Sequence, residues 1–172
     1  MKRSVMVVGT IALLLAGLAP AAVHKGDMEV DGLGGYISIS SDGGGDEDIL
    51  FLAARVGYFV TENIQVAGVG EYVSLDNSDV DIYGVGVAGK FHFMPDKQWV
   101  PYAGAQFLWA SADMGGGSTD GYIYGPLAGV RYEITPTTDL FVEGQYNLFG
   151  GDLDDALDDA WVIMVGFVHQ LK

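Results

Sequence analysis

The sequence predicts an all-β protein, an eight-stranded antiparallel barrel that crosses a membrane. Three observations carry that expectation. Apolar and mixed side chains alternate with period two along segment after segment, which places successive residues on opposite faces of a sheet. The connections also alternate in character: 61–63, 95–98 and 135–138 are tight, whereas 40–48, 76–79, 113–119 and 150–159 are polar and mostly longer. Beyond the N-terminal region, no apolar run approaches the roughly 20 residues that a spanning helix needs.

The pattern is plainest in RVGYFVTENIQVAGVGEYV, residues 55–73, read as two strands joined at Thr61-Glu62-Asn63. Before the turn, Leu50, Leu52, Ala54, Val56, Tyr58 and Val60 alternate with Phe51, Ala53, Arg55, Gly57 and Phe59. After it, Ile64, Val66, Gly68, Gly70 and Tyr72 alternate with Gln65, Ala67, Val69, Glu71 and Val73. One face carries no charge. The other mixes Arg55 and Glu71 with Gly, Ala and Phe, which suits a narrow enclosed lumen better than open water.

Taken in order, the chain starts with Lys2 and Arg3, the apolar run from Val5 to Leu18, and Ala19-Pro20-Ala21. This reads as a signal peptide over 1–21 with cleavage after Ala21, leaving a single barrel domain over 22–172. All 23 acidic residues follow Ala21, whereas two of the eight basic residues precede it, so the mature chain has a net charge of −17. Such a field repels nucleic acid, which is excluded as a partner. The chain has no cysteine, so a disulfide scaffold and a lipidated cysteine are excluded as well.

The first strand is expected over about Met28 to Ile39, with Leu33, Gly35, Ile37 and Ile39 on the lipid face. The hairpin at residues 55–73 supplies strands two and three. Strand four, about Val80 to Met94, turns Gly84, Gly86, Ala88, Lys90 and His92 inward; strand five, about Trp99 to Ala112, does the same with Tyr102, Gly104, Gln106 and Leu108. Strand six, about Gly121 to Ile134, turns Leu127, Gly129, Arg131 and Glu133 inward, and strand seven Phe141, Glu143, Gln145 and Asn147. Strand eight is expected over about Ala160 to Leu171. Each segment meets or slightly exceeds the roughly 9–11 residues a tilted spanning strand requires. Aromatics collect at the strand ends, among them Trp99, Tyr132 and Phe167 at one rim and Tyr72, Trp109 and Trp161 nearer the other. Such rings favour a membrane interface.

The segments RVGYFVTENIQVAGVGEYV, VPYAGAQF, GVRYEITPTTDLFVEGQY and VGFVHQLK resemble the small outer-membrane β-barrel family that includes OmpX, OmpW and the OmpA transmembrane domain. The resemblance covers nearly the whole mature chain and is specific for a class of barrel, not for an activity. It implies a cell outer membrane location with both termini periplasmic, and contact with outer-membrane lipid and lipopolysaccharide. It also implies insertion by the barrel-assembly machinery, which reads a terminal signal. Here Gly166, His169 and Leu171 occupy the positions of that signal's glycine, aromatic and terminal aromatic.

Little chemistry is expected. His24, His92 and His169 do not converge, no Ser/His/Asp arrangement stands out, and neither a cofactor nor an external ligand is indicated. The acidic loops, with Asp42, Asp46, Glu47 and Asp48 facing Asp152, Asp154, Asp155, Asp158 and Asp159, match no defined metal loop and read as a solvated rim. The candidate site is structural, a lumen ion-pair network of Arg55, Glu71, Lys90, Arg131, Glu133 and Glu143. Three cations and three carboxylates allow full pairing, and a three-residue turn at 136–138 would set Arg131 directly opposite Glu143. The expected role is therefore a non-enzymatic envelope protein with a charge-plugged lumen. A narrow porin-like channel and a lipid-modifying enzyme are the alternatives.

Overall fold

A computed structural model describes residues 23–39, 47–75, 80–114, 116–154 and 159–171. The expected signal peptide and parts of the acidic loops lie outside them. Eight strands follow one another: β1 (Met28–Ile39), β2 (Glu47–Phe59), β3 (Ile64–Leu75), β4 (Val80–His92), β5 (Trp99–Met114), β6 (Ser118–Thr135), β7 (Thr138–Gly151) and β8 (Ala160–Leu171). Each pairs antiparallel with the next, and β8 returns to β1 to close the barrel. That closing ladder runs from Met28↔Leu171 to Gly34↔Val165, seven pairs among the described residues. The β7–β8 ladder has ten and the β5–β6 ladder fifteen.

The tight connections share one end of the barrel, the turn side, and the longer ones lie at the other, the loop side. At the first tight turn, the Thr61 hydroxyl accepts from Ile64 N at 2.9 Å, and Asn63 Nδ2 donates to the His92 carbonyl at 2.8 Å. The turn is thereby tied to the end of β4. Between β4 and β5, Met94 takes a positive φ of 55° and accepts from Lys97 N at 3.1 Å. The β6–β7 ladder skips Gly125 and Pro126, where proline has no N–H to offer.

The expected inward and outward faces hold on β2 through β7. On β1 they are reversed. Glu29, Asp31 and Leu33 point inward, while Met28 and Val30 are exposed. Leu33 packs with Phe51, Phe141, Met164 and Val168 instead of facing lipid. The physical reason is that alternation fixes one face for the whole strand. Two carboxylates at odd positions cost more against hydrocarbon than the apolar residues at the same parity gain there.

The outer surface has two aromatic belts. Trp99 and Tyr132, with ring centroids 4.5 Å apart, and the Phe91–Phe93 pair mark the turn side. Tyr72 with Tyr83, Phe107 with Trp109 and Tyr122, and Tyr146 with Trp161 mark the loop side. Trp99 and Trp109 are ten positions apart on β5. At about 3.3 Å per residue and a tilt of about 40°, they stand roughly 25 Å apart along the axis, the height of a barrel's apolar band.

Candidate functional site: the barrel lumen

All six candidate residues, Arg55, Glu71, Lys90, Arg131, Glu133 and Glu143, are buried inside the barrel. Glu143 of β7, 0% exposed, is the hub. It receives Arg55 of β2 through two parallel bonds, Nη2 to Oε1 at 2.8 Å and Nη1 to Oε2 at 3.1 Å. Tyr102 Oη donates to Oε2 at 2.8 Å and Gln145 Nε2 to Oε1 at 2.9 Å. Lys90 Nζ stands 3.7 Å from the same carboxylate and donates to Asp31 of β1 at 3.1 Å. Its ammonium also lies over the Tyr102 ring, 5.2 Å from the centroid.

A second centre forms around Arg131 of β6. Its Nη1 and Nη2 donate to Glu29 of β1 at 3.1 and 2.9 Å, and its Nε to Asp139 at 2.6 Å. Gln65 of β3 donates to Glu29 from another direction. Gln106 and Gln145 exchange bonds at 2.9 and 3.2 Å, and Gln106 also reaches Asn147. Most of these contacts join strands that are not neighbours in the sheet, so they run as chords through the interior. A carboxylate that accepts several charge-assisted bonds in this way offsets much of its desolvation.

Glycines make the chords geometrically possible. Gly129 separates Tyr102 from Glu143 in the register, and a Cβ there would lie 2.6 Å from the Tyr102 ring and hydroxyl. The bare backbone lets the phenol pass over β6 to its acceptor. Gly57 plays the same part beneath the Gln65–Glu29 bond.

One expected pairing is corrected. Arg131 is registered with Phe141 and Glu143 with Gly129. The turn has two residues, Thr135 pairs with Thr138, and a bulge lies between Glu133 and Thr135. The net slip from the expected register is two residues, which preserves every face and changes every partner. Asp139 thus takes Arg131, and Glu143 is released to Arg55. Three lumen acids were also outside the expected set: Glu29, Asp31 and Asp139. The alternation of Glu29 and Asp31 with Val30 was their sequence signal. The network is accordingly more acidic than three against three: six buried carboxylates face three buried cations.

All the lumen ion pairs recorded among the described residues lie in the turn-side half. The loop-side half is apolar, with Val69, Ile82, Leu108, Ala110, Ala112 and Ile123 on one flank and Leu33, Phe51, Ala53 and Met164 on the other. Val73 packs against both. Leu153, from the connection after β7, folds into this half and is fully buried. Gly151, at φ 72°, turns the chain inward, and a Cβ at Gly121 would lie 2.8 Å from the Leu153 side chain.

Other candidate chemistry stays dispersed. His92 sits in the lumen between Phe59 and Tyr102, whereas His169 lies on the outer face beside Thr138. Asp42, Asp46, Asp155 and Asp158, and the side chains of Glu47 and Asp48, lie outside the description. Among the described residues, no group of three or more His, Asp or Glu side chains is arranged to hold a metal ion.

A family model described as the outer membrane protein beta-barrel domain matches residues 8–168. The chain belongs to this family. Solved structures agree in fold. Neisserial surface protein A is 20% identical, with 84% of this chain and 96% of that one covered, at a TM-score of 0.63. The N-terminal β-barrel domain of Pseudomonas aeruginosa OprF is 16% identical, with 86% and 98% covered, at 0.60. OprG of the same organism is 13% identical, with 88% and 99% covered, at 0.56. A search of curated proteins found no significant match. The fold and family of an outer-membrane barrel are therefore established, and the location they point to is the outer membrane.

Proposed function

We propose that this protein is a closed, non-conducting barrel of the outer membrane with a structural or surface-interaction role. The carrying observation is the pair of buried hubs, Glu143 and Arg131, whose bonds cross the lumen between non-adjacent strands. Eight strands enclose an interior that side chains can fill, and here the filling residues are also bonded to one another. In this reading the termini and tight turns face the periplasm, the aromatic belts contact lipid and lipopolysaccharide, and the barrel-assembly machinery inserts the chain.

Planar-bilayer recording on the refolded protein tests the proposal. Silence is the expected result. A large, steady conductance would give first place to a narrow channel lined by the same charges. Protease added to intact cells tests the orientation: cleavage at the β7–β8 connection is expected, and cleavage at Asp96 or Thr137 would invert it.

A further inference from the structure

The turn-side mouth of the lumen is closed more tightly than its strands alone explain. The last inward residues there, Phe59 of β2, Gln65 of β3, His92 of β4, Val100 of β5, Asp139 of β7 and Gln170 of β8, are each between 0% and 6% exposed. At an open mouth such a ring would meet water. The tight connections at 61–62 and 96–98 do not cover it, because their residues are exposed.

Val23 is placed to do so. Among the described residues, only Val23 and Leu153 are buried apolar residues outside the strands, at 5% and 0% exposed. Leu153 belongs to the loop-side core, whereas Val23 lies in the segment that precedes β1 at the turn end. There Gly26 N donates to the Phe59 carbonyl at 2.9 Å and Phe59 N to the Asp27 carbonyl at 3.0 Å, which prolongs the β1–β2 ladder. The chain then reverses: Asp27 N donates to the His24 carbonyl at 3.1 Å, and His24 N to the Asp27 carboxylate at 2.8 Å. Gly26 stands third in this four-residue turn with φ 96°, a conformation that favours glycine. The reversal takes Val23 out of the ladder and into a buried position, while His24 and Lys25 stay exposed.

We propose that residues 23–27 are a strap across the turn-side mouth, with Val23 as its stopper and Gly26 as its hinge. In this arrangement Val23 covers Phe59 and His92, whose rings lie 5.1 Å apart. Removal of the valine and phenylalanine surface from water favours closure. Residues 23–25 are held by the two bonds of the turn and by the stopper itself, so they can lift while Gly26 and Asp27 remain paired with Phe59. Such a local opening costs far less than global unfolding. It admits water to His92 from the turn side. The Glu143 hub, four residues further along β7 than Asp139, stays bonded to Arg55.

The test uses the chain from residue 22 to 172 refolded in zwitterionic micelles and treated with diethyl pyrocarbonate, which modifies accessible imidazoles, with peptide mass spectrometry as the readout. In the unmutated protein His24, its side chain 70% exposed, should be modified quickly and His92, 1% exposed, slowly. Gly26→Ala has room for its methyl group but not the favoured backbone. It should speed modification of His92 by about tenfold, the factor for forcing an L residue to positive φ. Val23→Asp, which puts a charge in place of the stopper, should speed it at least as much. Lys25→Ala, exposed on the same strap, should leave it unaltered. The urea midpoint of gel mobility should barely move in any of the three. Modification of His92 as fast as His24 in the unmutated protein would overturn the proposal, a comparison that needs no variant. So would an unchanged His92 rate in both Gly26→Ala and Val23→Asp, or a faster rate found only with a matching loss of global stability. Bilayer conductance tests the closed-barrel reading separately, because an open strap leaves the hubs bonded.

Discussion

The two halves of the lumen share their strands, their alternation and their glycine content, yet they are built on opposite principles. The turn-side half holds nearly all the charge, and its hubs are saturated: Glu143 alone has Arg55, Tyr102, Gln145 and Lys90 around it. The loop-side half holds aliphatic side chains, a stoppering leucine and, among the described residues, a single carboxylate, Glu71, whose Oε1 lacks a hydrogen-bond partner as Asp31 Oδ1 and Arg55 Nε do on the turn side. One half depends on directional bonds, the other on area removed from water. The first is sensitive to the loss of any one partner, because the survivor stays buried and charged. The second should tolerate changes that conserve volume.

The largest expected effect breaks the directional half at its hub. Glu143→Ala should lower unfolding stability by about 3–5 kcal/mol, since Arg55 and Lys90 lose their shared carboxylate. Urea unfolding read by heat-modifiable gel mobility measures it. Adding Arg55→Ala should recover part of the loss, whereas adding Arg131→Ala should bring a further loss close to additive. Recovery with Arg131 would restore the register that the two-residue turn excludes.

Next comes the apolar half. Leu153→Ala should cost about 2–4 kcal/mol through the cavity it leaves, and Leu153→Met much less, because the volume is nearly conserved. A loss below about 1 kcal/mol in the same unfolding assay would mean that the barrel mouth collapses onto the gap.

A smaller change sharpens the comparison by acting on the glycine that the turn-side network needs. Gly129→Ala displaces the Tyr102 ring and should cost about 1–3 kcal/mol from overpacking. Adding Tyr102→Phe should not deepen that loss, because the hydroxyl no longer reaches Glu143. A fully additive double variant would show that the phenol still crosses.

The smallest effect is expected at the exception. Glu71→Gln should alter stability by less than about 1 kcal/mol, or raise it slightly, because a buried charge without an ion pair is exchanged for a neutral isostere. A loss as large as that of Glu143→Ala would place Glu71 in the directional half after all.

Strand number, both ends of β1 and β8, the places of the tight turns and the facing of six strands, β2 to β7, were legible in the sequence, because each rests on local period or local turn chemistry. The facing of β1 was misread at Leu33, where Glu29 and Asp31 were the stronger constraint. All six expected site residues do enter the lumen. Their partners were not legible, since partnership depends on register, and a bulge between Glu133 and Thr135 moves register without moving faces. Nor does alternation report depth along the axis. The division between a bonded half and an apolar half emerges only when the eight strands are set side by side.

The seven-pair closure between β1 and β8 carries a consequence for how the chain reaches this state. Its partners, such as Met28 and Leu171, are the most distant in sequence of any in the sheet, and among the described residues its ladder is the shortest. Joining them demands the largest loop-closure entropy for the fewest bonds gained. Neighbouring hairpins can assemble progressively, but Glu29 and Asp31 cannot find Arg131 and Lys90 until the ends have met. Sealing the cylinder is thus expected to come last, with the interior charges as its latch.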